Sequence, residues 1–391
     1  MSNVAEGKYS TILGGYNNKT TGSYSSIISG SNNTTPGHAA VVVGGGTVPK
    51  ITSLWGSPAY DGNAATGNFS IVVGGMSNRA IGNHSAILAG GNNITYGQGS
   101  AVSGGGGIIV QLTQEFTYNP GNIAYGNFSL VSGGEYNRAG MVDGDKYIGD
   151  NAVVVGGEGN QAVAKGSIIS GGKGNLVDNR WAQLSAIMGG VGNHVSGTYS
   201  VVVGGKYNVS AGDASVVVGG MVNWAFDHVT SILGGLFNIA GVPIINPVTL
   251  TYPFAPPDID AGLGDRAGIS ILGGYHNRAY EKLATITGGV GNIIGKINSS
   301  EQYCMSCNYC SGYFEAQDYT PLDSPILFRD CNTCQTDCEY SYFIETTAAT
   351  ITGGHDNNLA GNVQNDLYYP WRAGTGFDRW YYEGCANQDC N

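Results

Sequence analysis

Eight cysteines, all near the end of the chain, carry its clearest chemical spacing: Cys304, Cys307 and Cys310 read CxxCxxC, Cys331, Cys334 and Cys338 read CxxCxxxC, and Cys385 and Cys390 follow. Two chemistries use such spacing. Paired CxxC elements supply the thiolates of a four-cysteine zinc site. Disulfides staple loop-rich segments that have no core of their own. The even count, the acidic surroundings without His, and the outside location argued below favour disulfides, with zinc at the cluster as the alternative and no other cofactor implied. Eight cysteines allow 105 pairings, so connectivity stays open. A thioredoxin-like CxxC lacks its βαβ context here.

The same end of the chain is dense in aromatic residues. Tyr313, Phe314, Tyr368, Tyr369, Trp371, Trp380, Tyr381 and Tyr382 are the candidate binding residues, because exposed Tyr and Trp anchor receptors and glycans. A small core for the cysteine-rich segment is the competing reading for most of them. Two carboxylate clusters, Asp143, Asp145 and Asp150, then Asp258, Asp260 and Asp265, have the oxygen ligands that calcium takes, although polar turns explain them more simply. The six His are scattered without metal or triad spacing. Sequons at Asn18, Asn33, Asn68, Asn83, Asn93, Asn127, Asn208 and Asn298 mostly follow from a repeat consensus, so they do not imply glycosylation. No P-loop, HExxH or G-x-S-x-G is present, and no catalytic residue or metal ligand set is assigned.

That consensus must position everything else. Gly197 aligns with Gly212, Ser200 with Ser215 and Gly204-Gly205 with Gly219-Gly220, a unit of 15 residues reading G-x-x-S-x-[IV]-x-x-G-x-x-N. Its central aliphatic falls at Ile12, Ile27, Val42, Val72, Ile87, Val102 and onward to Ile286 and Ile351, with Gly three residues later in every copy and Asn three further on in all copies but two. The aliphatic run predicts a short β-branched strand. The Gly pair predicts a turn needing positive φ, and Asn suits the left-handed region and local hydrogen bonding. Two strands and two turns per unit make one coil of a parallel β-solenoid. A single coil cannot bury its aliphatic alone, so about sixteen coils stack at roughly 4.8 Å spacing. The Asn residues then line up as a ladder.

The units SIVVGGMSNRAIG from Ser70 and SVVVGGKYNVSAG from Ser200 resemble the head repeats of trimeric autotransporter adhesins, the YadA-like (haemagglutinin-type) β-roll also found in phage and large-virus fibres. The resemblance covers well over half of the chain and implies a left-handed roll packed side by side with two copies as a homotrimer. It departs in its period, its doubled Gly and its nearly fixed Asn. The aliphatic neighbours of the central position, Leu13, Val43, Val73, Val203 and Val218, alternate to the opposite side of the strand and agree with a partner there.

Composition sets the remaining expectations. Gly fills 65 of 391 positions without the collagen period, charged residues make up only 12 %, and the net charge is −11. An acidic chain without basic faces is not a nucleic-acid binder. No apolar stretch approaches a membrane span, and the first residues enter the repeat without a signal peptide, so no membrane insertion is expected. The chain reads as a repeat body, 1–295, interrupted at 46–66, 106–125 and 241–265, followed by a cysteine- and aromatic-rich cap, 296–391, with one further coil at 347–360. Short detours fall at 140–148 and 176–183. The expected function is a structural attachment protein, a fibre or adhesin head on a virion or cell surface whose loops meet a receptor or glycan, and not an enzyme. A purely structural surface or capsid-decorating fibre is one alternative. Another is a glycan-active solenoid enzyme, which needs a carboxylate pair on one coil face; the regular coils carry almost none. An ice- or mineral-binding solenoid needs a regular Thr array, which these coils lack.

Overall fold

The computed structural model describes residues 3–46, 62–106, 121–178, 182–241, 268–280, 282–295, 349–355 and 357–359. The chain divides into two compact units, Met1–Gly204 and Gly205–Asn391. In each, the described residues form a parallel β-solenoid, about 15 turns in all, with no helix among them.

Every coil contributes two strands of two residues. In unit 1 the first strands run from Thr11–Ile12 to Val201–Val202 and stack in register, Ile12 beside Ile27, Ile27 beside Val42 and Ile187 beside Val202. The second strands, Val4–Ala5 to His194–Val195, form their own parallel sheet. Single bridges through the residue after the Gly pair, such as Met76 beside Gly91, make a third ladder. Unit 2 repeats this plan, with first strands from Val216–Val217 to Thr350–Ile351 and second strands from Val209–Ser210 to Asn358–Leu359. The strands are shorter than the Ser-x-[IV]-x run because a turn with positive φ closes each of them from both sides.

The central aliphatics form the expected interior column. From Ile27 to Ile286 each is fully buried, and Ile351 is nearly so. Ile12 is only half-buried because its strand has a neighbour on one side alone, the strand of Ile27. Each fully buried Val or Ile contributes roughly 2 kcal/mol. Small residues such as Ala80, Ala139 and Ala162 fill the interior position of the second strands. In several coils the buried Ser two residues before the central position is satisfied locally, Ser70 Oγ donating to the Gly67 carbonyl at 2.6 Å and Ser100 Oγ to that of Gly97 at 2.7 Å, whereas Ser185 Oγ reaches the Gly197 carbonyl of the next coil at 2.7 Å.

The Asn ladder is present, with a different wiring from amide-on-amide stacking. Asn78 Oδ1 accepts the Asn93 backbone N–H at 3.1 Å, and Asn78 Nδ2 donates to the Gly74 and Gly90 carbonyls at 2.9 and 3.0 Å. One side chain therefore closes its own turn and ties it to the next coil. Direct amide-to-amide bonds join a few pairs, such as Asn238 Nδ2 to Asn223 Oδ1 at 3.0 Å. The ladder Asn is not the left-handed residue of its turn; the residue before it is, as at Asn17, Asn32 and Asn92 with φ of 54°, 57° and 56°. The second Gly of each pair does take positive φ, +87° at Gly205, where a Cβ would run into the Gly220 carbonyl and Asn208 Nδ2.

The two copies that lack Asn in sequence are completed from beyond an interruption. Asn63 and Asn122 take the ladder positions, Asn63 N–H donating to Asn33 Oδ1 and Asn122 N–H to Asn93 Oδ1, both at 2.9 Å. The expected interruptions 46–66 and 106–125 are therefore too wide: Gly46 and Gly106 still bridge to Ser31 and Gly91, and the coil is back in place by Asn63 with Ala64–Ala65 and by Asn122 with Ile123–Ala124, so each interruption falls between the Gly pair and the ladder Asn of one coil. The detour at 140–148 is an antiparallel hairpin, Met141–Asp143 against Lys146–Ile148.

Candidate functional site

The candidate binding residues Tyr313, Phe314, Tyr368, Tyr369, Trp371, Trp380, Tyr381 and Tyr382 lie outside the described residues, as do all eight cysteines, Asp258, Asp260 and Asp265, and the cap apart from its coil at 349–355 and 357–359. Asp143 and Asp145 sit on the hairpin, and Asp150 Oδ1 accepts the Asn127 backbone N–H at 2.9 Å, a turn role. Among the described residues no group of three His, Cys, Asp or Glu is placed to hold a metal. The sequons separate by burial. Asn18, Asn33, Asn93 and Asn208 belong to the interior ladder, whereas Asn68, Asn83 and Asn127 are exposed turn residues.

What the fold does assemble is a surface. Within each unit the residues three before, one before and one after the central aliphatic point outward and line up coil on coil. In unit 1 they run from Tyr9, Thr11 and Leu13 through Phe69, Ile71 and Val73 to Tyr199, Val201 and Val203. In unit 2 they include Val229, Ser231 and Leu233, then Leu283, Thr285 and Thr287. None of these positions in any described coil is Asp, Glu, Lys or Arg. Their exposure is high, 73 % at Leu13, 66 % at Tyr9, 63 % at Tyr199 and 52 % at Met188.

The outermost of the three columns is held in an unfavourable backbone region. Tyr9, Tyr24, Phe69, Phe128, Leu184, Tyr199, Val229 and Leu283 all have φ between 53° and 60°. For bulky or β-branched residues this costs about 1–2 kcal/mol each. Gly99, Gly166 and Gly268 stand at the same position elsewhere, and the side chains of Phe128, Leu184 and Leu283 fill the space where their Cβ atoms would be. Toward the start of unit 1 the rings form a line: Tyr9 to Tyr24 at 5.1 Å, Tyr24 to His38 and His38 to Phe69 edge-on at 5.5 Å, and Phe69 stacked on His84 at 5.0 Å.

The outward side of the second strands is chemically different. It carries Lys19, Arg79, Arg138, Gln161 and His194 in unit 1. Lys19 pairs with Glu6 at 3.2 Å and His194 with Asp178 at 3.4 Å; the first pair, half-exposed, is worth well under about 1 kcal/mol. Tyr147 of the hairpin closes on Tyr96 and Tyr125, with centroids 4.9 and 6.0 Å away, and anchors the detour there. Burial raises the Tyr125 pKa, opposed by the Arg138 charge. In unit 2, Trp224, Phe226 and Ile293 pack on buried Ile239 and Tyr280. Burial pushes the Tyr280 hydroxyl up to about 12 against the opposing Arg278. His276 is lowered, first by partial desolvation and then by Arg278.

Of the uncharged face, only the last column, with Leu13, Val43, Val73, Val203 and Val218, was evident from the sequence. The signal of the outermost column was present: a Tyr or Phe stands directly before the repeat Ser at Tyr9, Tyr24, Phe69, Phe128 and Tyr199. Neither a protein-family model nor a curated protein matches this sequence.

Proposed function

We propose that this chain is the repeat body and terminal cap of a surface attachment protein, a homotrimeric fibre or adhesin head on a virion or in the extracellular space that offers its insertions to a host receptor or glycan. The observation that carries the reading is the ladder itself: within each unit the first strands stay in register across the interruptions, Val41 beside Ile71, Ala101 beside Leu130 and Ser231 beside Ser270, as expected of a repeat scaffold that offers inserted loops. The likeness of the repeat units to YadA-like heads supports the trimer and a left-handed winding. The three aromatic clusters of the cap, around Tyr313, Tyr368 and Trp380, are the proposed contact residues, and the eight cysteines are proposed to be paired as disulfides that staple it. Neither nucleic acid nor a membrane span belongs to this reading.

The test uses the full chain on host cells and on an immobilised glycan panel. Saturable binding that falls at least about tenfold in the Trp371→Ala, Trp380→Ala double variant is expected. Binding to neither, together with cryo-EM of intact source particles or cells that shows no such solenoid at their surface, would overturn the attachment role. Intact mass without reductant should lie below the reduced chain by the hydrogens of the eight cysteines. One or two zinc ions per chain, lost with cap folding on chelation, would give those thiols to zinc instead.

A further inference from the structure

We infer that the uncharged first-strand face is the surface through which copies of this chain pack against one another, coil against coil, with the strained column of Tyr9, Tyr24, Phe69, Phe128, Leu184 and Tyr199 forming the seam. This rests on the oligomeric part of the preceding proposal and assigns it a surface.

Three observations converge. The chain has 17 Lys and Arg and 28 Asp and Glu, and the outward positions of the first strands receive none of them in any described coil. Charge depletion with Tyr, Phe and Met enrichment marks the centre of a protein interface, and monomers rarely leave so continuous an apolar surface in water. The strained column is the second observation. Gly99, Asn151 and Gly166 show that the turn accepts residues without strain, yet most coils keep a bulky side chain there. Contacts within the chain cover them only in part: Tyr9 lies against Tyr24, and Phe128 and Leu184 cover Gly99 and Gly166, yet Tyr9, Phe128, Leu184 and Tyr199 remain more than half exposed. Strain persisting at exposed positions points to contacts made by the assembled protein.

The third observation selects the occupant. The apolar side chains recur at the coil spacing, one set per strand, along each unit. A partner that matches them all must present apolar groups at the same interval, and a second copy of this solenoid does so by construction. Equivalent faces on identical chains also satisfy the closed symmetry of soluble oligomers.

Light scattering at micromolar concentration provides the test, on the full chain and three variants. The triple variant Ile28→Lys, Leu88→Lys, Met188→Lys places charge on side chains that are 42 %, 49 % and 52 % exposed. The triple Ser variant at the same positions introduces only what Ser103, Ser132 and Ser170 already show in that column. The control, Thr21→Lys with Ile81→Lys, charges the second-strand side. The wild type and control should run at the same multiple of 40.5 kDa and the Lys variant at 40.5 kDa. The Ser variant, with an unchanged circular dichroism spectrum, should dissociate at a concentration at least about tenfold higher than wild type. An oligomer that survives both face variants, or that the control breaks, overturns the assigned surface while leaving the oligomer intact. A monomeric wild type overturns both. A monomer that binds phosphatidylcholine vesicles through this face would give it to a lipid surface.

Discussion

The first strands and the turns before them direct Tyr, Phe, Val, Ile and Leu outward without one Asp, Glu, Lys or Arg, whereas the same column of the second strands in unit 1 mixes Val4, Ile94, Ile123 and Leu176 with Lys19, Arg79, Arg138, Gln161 and His194. They belong to separate parallel sheets of the same coils, and both bury a regular interior column. The difference therefore does not come from folding of the single chain, which needs only the inward residues. The second-strand side is finished, with its ion pairs and its Tyr96, Tyr125 and Tyr147 cluster formed within the chain. The first-strand side keeps apolar, partly strained residues largely exposed beyond the ring contacts they make with one another.

The largest effect separates the inward from the outward residue of one strand. Val202→Asp places a carboxylate in a fully buried column and should cost about 4 kcal/mol or more, read as a loss of unfolding midpoint in denaturant. Val203→Asp, 43 % exposed on the other side of that strand, should leave the isolated chain within about 1 kcal/mol and weaken self-association instead. Equal destabilisation by both would break the distinction between the two sides.

Next comes the ladder that both faces share. Asn78→Ala leaves the Asn93 N–H and the Gly74 and Gly90 carbonyls without their side-chain partner and should cost about 3 kcal/mol, seen as faster amide exchange in the two adjoining coils. Asn68→Ala, at an exposed turn where Asn68 Oδ1 accepts only the His38 N–H, should cost under about 1 kcal/mol.

A smaller change of opposite signs sharpens the comparison most. Val229→Asn puts a residue tolerant of positive φ where a β-branched one is held at 53°. It should stabilise the dissociated chain by about 1 kcal/mol while weakening association. Stabilisation without any loss of association would mean that the column carries no contact.

The smallest effect is a pH dependence confined to unit 2. His276 has its folded pKa depressed below the ordinary value of 6.5, so the folded chain disfavours its proton. Its contribution to stability is present above that value and is lost as the pH falls through the depressed folded pKa. The variant His276→Asn, compatible with the φ of 55° there, should flatten the unfolding-temperature profile on the acid side of about pH 6.5. An unchanged profile would assign that slope to other groups.

The solenoid was legible because one residue class recurs at one spacing: an Ile or Val sits in the interior position of every first strand, and only stacking can bury it. The insertions were legible as failures of that period. The ladder's wiring was not, because sequence shows that Asn recurs without showing that Oδ1 faces a backbone N–H and Nδ2 two carbonyls. Nor was the residue that takes the left-handed conformation, since Asn17 and Asn18 are adjacent and both tolerate it. Asn63 and Asn122 were hidden because the chain reaches their positions only after leaving the coil. The outer face could be read in part. Leu13 or Val203 beside a central aliphatic suggests a second apolar side, but that Tyr9, Tyr24 and Tyr199 share it requires knowing that the turn before the strand projects them the same way. The cap's aromatics and cysteines offer no period at all, so their chemistry rests on composition and spacing.

Methionine oxidation by dilute peroxide tests the central claim directly on the unmodified protein, because in unit 1 Met188 lies on the first-strand face and Met141 on the hairpin away from it. In the single chain Met188 on the first-strand face is 52 % exposed and Met141 on the hairpin 38 %, so a chain with an open face oxidises Met188 at least as fast. With the first-strand faces packed together, peptide mapping should show Met141 converted to sulfoxide well ahead of Met188, and the order should reverse in the Ile28→Lys, Leu88→Lys variant. Met188 oxidising as fast as Met141 in the folded wild type would contradict the account.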